Sequence, residues 1–208
     1  MIRYAITSRA LYPGSEQEKQ AALLAEASHW IADHIDFIQL REKDLPAANL
    51  TALARNLLET INLTASPTRL LINSRPDIAL ATNAHGVHLS SSPGELTPTQ
   101  IRHLYTTANQ PAPLITTSCH NLADVDRAST ENVDAILFAP VFEKPLPNQP
   151  PLPGQGLDQL RAACLAAAPI PVYALGGVTF ENTPSCLEAG AAGVAGIRLF
   201  RRSPEHLS

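Results

Sequence analysis

PVYALGGVTFENTPSCLEAGAAGVAGIRL, residues 171–199, contains two short apolar segments separated by a helical pattern. Pro171–Leu175 and Val194–Ile197 are rich in β-forming residues and short enough to be buried parallel strands. The residues between them, 179–188, predict a helix. Each strand ends in small residues, where backbone N–H groups can approach a ligand that a Cβ atom would keep away. The unit therefore suits a bound phosphate, although Gly176-Gly177 taken alone would favour a plain tight turn.

The same alternation of strand and helix extends through the rest of the chain. Six further strands are predicted, at Ile2–Thr7, Asp36–Arg41, Arg69–Asn73, Gly86–Leu89, Leu114–Ser118 and Asp134–Phe138. Helices are predicted at Glu16–Ala32, Pro46–Ile61, Pro76–Ala81, after the Thr97–Gln100 cap, and at Leu122–Ser129 and Leu157–Ala167. A long proline-rich loop is predicted between Phe142 and Gly156.

Strands that alternate with helices imply a parallel sheet covered by helices on the outside. Eight such units predict an α/β fold, a small (β/α)8 TIM barrel that forms a single domain over residues 1–208. A doubly wound open sheet is the alternative. Because only Ser203–Ser208 follow Arg202, we expect the last helix to be truncated.

The composition argues against several classes of protein. The chain has 208 residues, 45% of them hydrophobic, and a net charge of -4, so we expect no nucleic-acid partner, which would need a basic stripe. No apolar run approaches the roughly 20 residues of a membrane span, and the polar N-terminus does not resemble a signal peptide. The three cysteines are widely spaced, so we expect reduced thiols in a cytoplasmic protein. They are Cys119, Cys164 and Cys186.

The carboxyl ends of the strands carry the chemistry in a barrel of this kind. Gln39, Arg41 and Lys43 alternate along the second strand, which places them on one side of it. The two cations suit a phosphate or a carboxylate. Ion pairing with Glu42 and Asp44 at a solvated strand end is an equally open interpretation.

Three more polar residues are candidates. His120 follows the fifth strand and is the best candidate for a proton carrier, with a packed or solvated histidine as the alternative. Asn73 either binds a ligand or caps the turn after its strand. Lys144, in the proline-rich loop, either reaches an anionic ligand as part of a lid or is solvated.

Several segments together resemble the thiamine phosphate synthase/TenI superfamily. They are Ile38–Lys43, Leu71–Leu80, Gly86–Leu89, Ala139–Phe142 and Ala174–Val178. The resemblance covers nearly the whole chain and implies an enzyme of thiamin biosynthesis that binds a small thiazole phosphate. The substrate-binding residues it implies are Gln39, Arg41, Lys43, Asn73, Ser118 and Lys144. The phosphate-binding residues are Gly176, Gly177, Ala195, Gly196 and Ile197.

The superfamily contains two activities that the sequence can separate. The synthase couples a pyrimidine diphosphate to a thiazole phosphate with magnesium, and it needs one Asp after the third strand and a second after the fourth. Here Ser74 and the stretch Ser90–Gly94 occupy those places. The thiazole tautomerase needs no metal and moves a ring proton by means of a histidine that His120 matches.

From this resemblance we expect a thiazole tautomerase, an isomerase with His120 as the catalytic residue and no cofactor. We expect no metal site, because His85 and His88 lack a third ligand. The synthase and a non-catalytic phosphate-binding regulatory protein are the alternatives. As partners we expect the thiazole phosphate and a second copy of the chain in a homodimer.

Overall fold

Eight parallel strands close into a barrel, which confirms the predicted fold class. The computed structural model describes residues 1–90, 92, 94–146 and 149–202, without the side chains of 144–146, 149 and 150. The barrel strands, in order around the barrel, are β1 (Ile2–Ile6), β2 (Phe37–Leu40), β3 (Arg69–Asn73), β4 (Gly86–Leu89), β5 (Leu114–Cys119), β6 (Ala135–Phe138), β9 (Val172–Ala174) and β10 (Gly193–Gly196).

Helices follow the barrel strands, and two of them begin with a reciprocal capping pair at a residue that the sequence predicts as a cap. The Ser15 side chain accepts from the backbone N–H of Glu18, and the Glu18 side chain accepts in return from the N–H of Ser15. Thr97 and Gln100 form the same reciprocal pair, which satisfies N–H groups that the first turn leaves unpaired. The helices are α1 (Glu16–Ala32), α2 (Ala47–Leu63), α3 (Pro76–Thr82), α4 (Pro98–Thr107), α5 (Leu122–Thr130), α6 (Gly156–Ala167) and α7 (Thr183–Glu188).

The proline-rich stretch after β6 is not the plain loop that the sequence predicts. β7 (Lys144–Leu146) and β8 (Gln149–Leu152) pair antiparallel in a small sheet of their own, separate from the barrel. A two-stranded sheet consists of edge strands, and edge strands tolerate proline because its missing N–H need not enter a ladder. The prolines therefore exclude a central strand but permit this hairpin.

The helix after β9 also departs from the prediction, because it begins at Thr183 rather than Thr179. The Asn182 side chain accepts from the N–H of Thr179 and donates to the Gly177 carbonyl, which holds residues 179–182 in a turn. The predicted truncated last helix falls on residues 203–208, outside the described residues.

Alternation along the strands divides the apolar side chains into two cores. The inner core fills the barrel, and the outer core lies between the strands and the helices. The inner core consists of Tyr4, Ile6, Leu71, Ala135, Leu137, Tyr173 and Ala195. Because the barrel is packed in this way, a ligand has room at its mouth, where the strands end.

Two features of the described residues bear on location and redox state. No helix among them is long and apolar enough to cross a lipid bilayer. Cys119, Cys164 and Cys186 are all free thiols.

Leu71→Ala should destabilise the fold by about 2–5 kcal/mol, because Leu71 is fully buried in the inner core and its loss leaves a cavity. Leu63→Ala is the matched control: Leu63 is 80% exposed, and the change should cost less than about 0.5 kcal/mol. Urea denaturation measures both free energies of unfolding. Equal losses from the two variants would contradict the assignment of an inner core.

Candidate active site

A cavity of about 290 Å³ opens at the barrel mouth, between the segments that follow β2, β3 and β4. These three strands are neighbours in the sheet, so their carboxyl ends lie side by side. The cavity is lined by Glu42, Lys43, Leu45, Leu50, Asn73, Ser74, Arg75, Ser90, Ser92 and Glu95. Two of the predicted substrate-binding residues, Lys43 and Asn73, therefore share one cavity.

Two buried amides, Asn73 at the mouth and Gln39 on β2, present oxygens with no hydrogen-bond partner among the described residues. Gln39 is 1% exposed and Asn73 is 7% exposed, and the orphaned atoms are Gln39 Oε1 and Asn73 Oδ1. The Asn73 amide nitrogen donates to Ser74 Oγ rather than capping the next helix. Because unpaired buried acceptors are rare in native proteins, these two oxygens mark places where a ligand can donate.

A carboxylate lies beside the end of β4, where the sequence analysis expects none. Glu95 folds back so that its carboxylate accepts from the Ser90 backbone N–H at 2.8 Å and from the Ser90 hydroxyl at 2.9 Å. The stretch predicted to lack a carboxylate ends at Gly94. An acidic residue at the very next position was the signal available in the sequence.

Arg9 neutralises the acidic residues that follow β2. Its guanidinium lies 3.1 Å from the carboxylate of the buried Glu42 and 2.6 Å from that of Asp44. The hydrogen bond from Arg9 lowers the pKa of Asp44 to about 2. Within the described part of the chain, these acids thus pair with Arg9 and not, as the alternative interpretation has it, with Arg41 or Lys43.

A buried histidine, His88 on β4, connects the interior of the barrel to its mouth. Its Nδ1 lies 2.8 Å from Thr116 Oγ1, and its Nε2 lies 3.0 Å from Ser118 Oγ. Burial, together with the positive charges of Arg41 and Lys43, lowers the pKa of His88 to about 3, so the ring is neutral. The sequence pattern indicated His88 only as a possible zinc ligand, and these buried contacts were not predicted.

His120 joins the ends of two strands. Its ring Nδ1 lies 2.8 Å from the Ala139 carbonyl oxygen, and its backbone N–H donates to the carboxylate of Asp124. The ring is exposed at the rim of the barrel. Lys144 belongs to β7, and its side chain lies outside the described residues.

The two glycines after β9 are needed by the backbone itself. Gly176 has φ 90° and Gly177 has φ 63°, and a Cβ atom on either would lie 2.7 Å from an atom of Pro140 or Phe142. The sequence predicts a helix N-terminus directly after the glycines. In the structure α7 begins only at Thr183, so its N-terminus does not lie there. Phosphate binding here therefore rests on backbone N–H groups and stays a prediction.

The predicted phosphate-binding residues on the neighbouring strand lie at the end of β10 or just after it. Ala195 is fully buried, whereas Gly196 and Ile197 are half-buried. β9 and β10 pair side by side, so both predicted halves of the phosphate site lie at one edge of the mouth.

Stability should fall with acid because of His88. The unfolded chain binds a proton at this residue near pH 6.5, whereas the folded chain does not until about pH 3. The contribution is complete above pH 6.5 and is lost progressively as the pH falls toward 3. Between about pH 6 and 4, His88→Gln should flatten the slope of the unfolding free energy by about 1.4 kcal/mol per pH unit.

Urea denaturation at several pH values gives these slopes for both proteins. His103→Gln, on the exposed surface of α4, is the matched control. An unchanged slope in His88→Gln would show that His88 takes up its proton in the folded state as readily as in the unfolded one.

Comparisons with known proteins identify the family. The family model described as thiamine monophosphate synthase matches residues 4–200. A putative thiamine-phosphate synthase of Geobacter sulfurreducens is 39% identical over 97% of this chain and 87% of its own. The thiamine-phosphate synthase of Thermus thermophilus is 32% identical over 88% of this chain and 84% of its own. The structure of a Pyrococcus furiosus thiamine phosphate pyrophosphorylase superposes with a TM-score of 0.76 at 23% identity, covering 95% and 85% of the two chains.

These findings correct one prediction from the sequence. The expected isomerase is wrong, because the relatives that cover most of the chain are named as synthases, which are transferases. Nothing in the comparisons tests the predicted catalytic role of His120, which stays a prediction. What the comparisons and the closed barrel do establish is that this chain belongs to the thiamine monophosphate synthase family of thiamin biosynthesis.

Proposed function

We propose that this chain is a thiamine-phosphate synthase, a transferase that joins a pyrimidine diphosphate to a thiazole phosphate. One observation carries the proposal: Glu95 folds back onto Ser90 and lines the same cavity as Asn73 and Ser74. The main argument against this activity is the lack of a carboxylate after the third and fourth strands. Glu95 supplies one in space, although not at the expected position in the chain.

The oxygen atoms of this cavity suit the magnesium ion that the family resemblance implies. Magnesium is usually held by one or two carboxylates and by substrate phosphates, and it keeps several waters. The cavity offers three oxygen ligands for such an ion: the Glu95 carboxylate, Asn73 Oδ1 and Ser74 Oγ. The described residues contain no group of three or more His, Cys, Asp or Glu side chains placed for a metal, so the site is an open one completed by substrate.

Bound there, magnesium would supply positive charge to the diphosphate group as it leaves. Two side chains at the end of β2 also supply positive charge to the departing diphosphate. Lys43 lines the cavity, and Arg41 alternates with Gln39 and so lies on the barrel side of the strand. Because Glu42 and Asp44 pair with Arg9, neither Arg41 nor Lys43 forms an ion pair among the described residues, and both can pair with an anionic ligand.

The reaction balances without an added proton carrier. A bond forms between the thiazole ring nitrogen and the methylene carbon of the pyrimidine. The bond from that carbon to the diphosphate oxygen breaks, and diphosphate leaves with the electron pair. The protein's task is then to orient two substrates and stabilise a departing anion, which suits a mouth lined with cations and fixed amides.

Glu95→Gln should lower the rate of thiamine phosphate formation at least tenfold, because the amide keeps the shape of the side chain but removes the negative charge that favours a hard cation. The measurement is thiamine phosphate produced from the two substrates at the magnesium concentration that half-saturates the native protein. Ser74→Asp should raise the apparent affinity for magnesium, since it adds a carboxylate to the same cavity. The positive φ of 54° at Ser74 is one that Asp tolerates.

Glu59→Gln is the matched control, because it makes the same change on the exposed face of α2 and should leave the rate unaltered. No thiamine phosphate from the native protein with magnesium would overturn the proposed function. If the native protein is active and Glu95→Gln is equally active, the proposed function stands but Glu95 has no part in it.

A further inference from the structure

Arg9 joins the segment after β1 to the turn after β2. It lies in a single 3-10 turn, Arg9–Leu11, and its side chain is 8% exposed. Its Nη1 donates to the Glu42 carboxylate at 3.1 Å, and Nη1 and Nη2 donate to the two carboxylate oxygens of Asp44 at 2.7 and 2.6 Å. Its Nε donates to the Glu16 carboxylate at 2.6 Å, so one guanidinium holds three carboxylates.

The two acids that Arg9 holds in the turn lie on either side of Lys43. The Leu45 N–H donates to the Glu42 carbonyl at 3.2 Å and closes the turn, so Lys43 and Asp44 occupy its two central positions. The Arg9 backbone N–H is shared between the two oxygens of the Glu42 carboxylate, at 3.2 and 3.1 Å. The residues before and after Lys43 are thus held through their side chains, while Lys43 itself lines the cavity.

Chemistry fixes the direction of each of these hydrogen bonds. A guanidinium and a backbone N–H can only donate, and an ionised carboxylate can only accept. The pairing of Arg9 with the turn therefore depends on no choice of tautomer, hydroxyl rotation or amide orientation.

The number of carboxylates explains why residue 9 is an arginine. A guanidinium presents five N–H donors in a planar fork, whereas a lysine ammonium concentrates its charge on one nitrogen and cannot bridge the same three acids. Glu42 is 3% exposed and would be costly to leave unpaired, whereas Asp44 is 75% exposed. Asp44 is therefore the carboxylate that a lysine at residue 9 would release, and it is next to Lys43 in the chain.

We propose that Arg9 is a positioning residue which, by holding Glu42 and Asp44, keeps the Lys43 ammonium free to bind the diphosphate group of the substrate. The inference rests on the proposed function for its substrate. Arg9 does not line the cavity, so it acts only through the turn.

The test is a double-mutant cycle of Arg9→Lys and Asp44→Asn, measured by calorimetry as the affinity for inorganic diphosphate at a fixed magnesium concentration. Arg9→Lys should weaken binding about fivefold, because the released Asp44 carboxylate pairs with Lys43 as an exposed ion pair worth about 1 kcal/mol. Asp44→Asn alone should change the affinity little, since the carboxylate it removes is already paired with Arg9. The double variant should bind nearly as tightly as the native protein, because no carboxylate remains to be released.

A purely structural role for Arg9 predicts no such rescue, since removing both partners would not restore the ion pair. A double variant that binds diphosphate as weakly as Arg9→Lys, or more weakly, would overturn the proposal. Arg161→Lys is the matched control, because it makes the same change in an exposed arginine that pairs with Asp158 on α6. It should leave the affinity unaltered.

Kinetics separate this inference from the proposed function. In an active synthase, Arg9→Lys should raise the KM for the pyrimidine diphosphate about fivefold and leave the KM for the thiazole phosphate unchanged, and adding Asp44→Asn should reverse the rise. A native protein that binds diphosphate but makes no thiamine phosphate would count against the proposed function, while the calorimetric cycle would still decide the role of Arg9. A native protein that binds no diphosphate would overturn the inference, whether or not it makes thiamine phosphate.

Discussion

The pairing of β1 with β10 closes the barrel, and the whole mouth depends on its register. Ile2 lies opposite Gly193, and a Cβ atom on Gly193 would clash with the Ile2 carbonyl oxygen. On the far side, a Cβ atom on Gly86 would clash in the same way with the Leu114 carbonyl oxygen. A slip of one residue at either contact would exchange inward and outward side chains along the strand. The inner core and the buried contacts of His88 require that this does not happen.

At the mouth, acidic and basic side chains are neighbours in the chain, and an ion pair with Arg9 keeps the acidic ones from the cations. Glu42 follows Arg41 and precedes Lys43, so a carboxylate there is close to the cations that an anionic ligand needs. Arg9 takes up that carboxylate in a buried ion pair, its side chain 8% exposed and that of Glu42 3% exposed. A buried carboxylate without such a partner would be strongly unfavourable. The cations remain available because the acids are already satisfied.

The strands and most helices could be predicted because their signals are local. Apolar runs, capping pairs at Ser15 and Thr97, and turns after each strand lie within a few residues of one another. The pairing of β7 with β8 and the late start of α7 could not be predicted. Proline and glycine show which regular elements a segment cannot form, but they do not specify the structure that it adopts instead. Among the residues of the candidate site, the sequence pattern indicated Gln39 and Asn73 but neither Glu95 nor any role for His88 beyond the rejected zinc site, and the function of all four stays a prediction.

The prediction of an isomerase relied on a carboxylate-free stretch that ended at Gly94, one residue before Glu95. The prediction depended on the position of a carboxylate along the chain after a strand. Binding of a ligand depends instead on where the carboxylate lies in space. Loops can place the same group from different positions, provided that the backbone holds the end, as Ser90 does here with its N–H and hydroxyl. The barrel interior has no such freedom, since His88, Thr116 and Ser118 stand in fixed register on paired strands. In this fold the interior sets orientation and the loops supply charge. A missing charged residue in a loop is therefore weaker evidence against an activity than a missing residue inside the barrel.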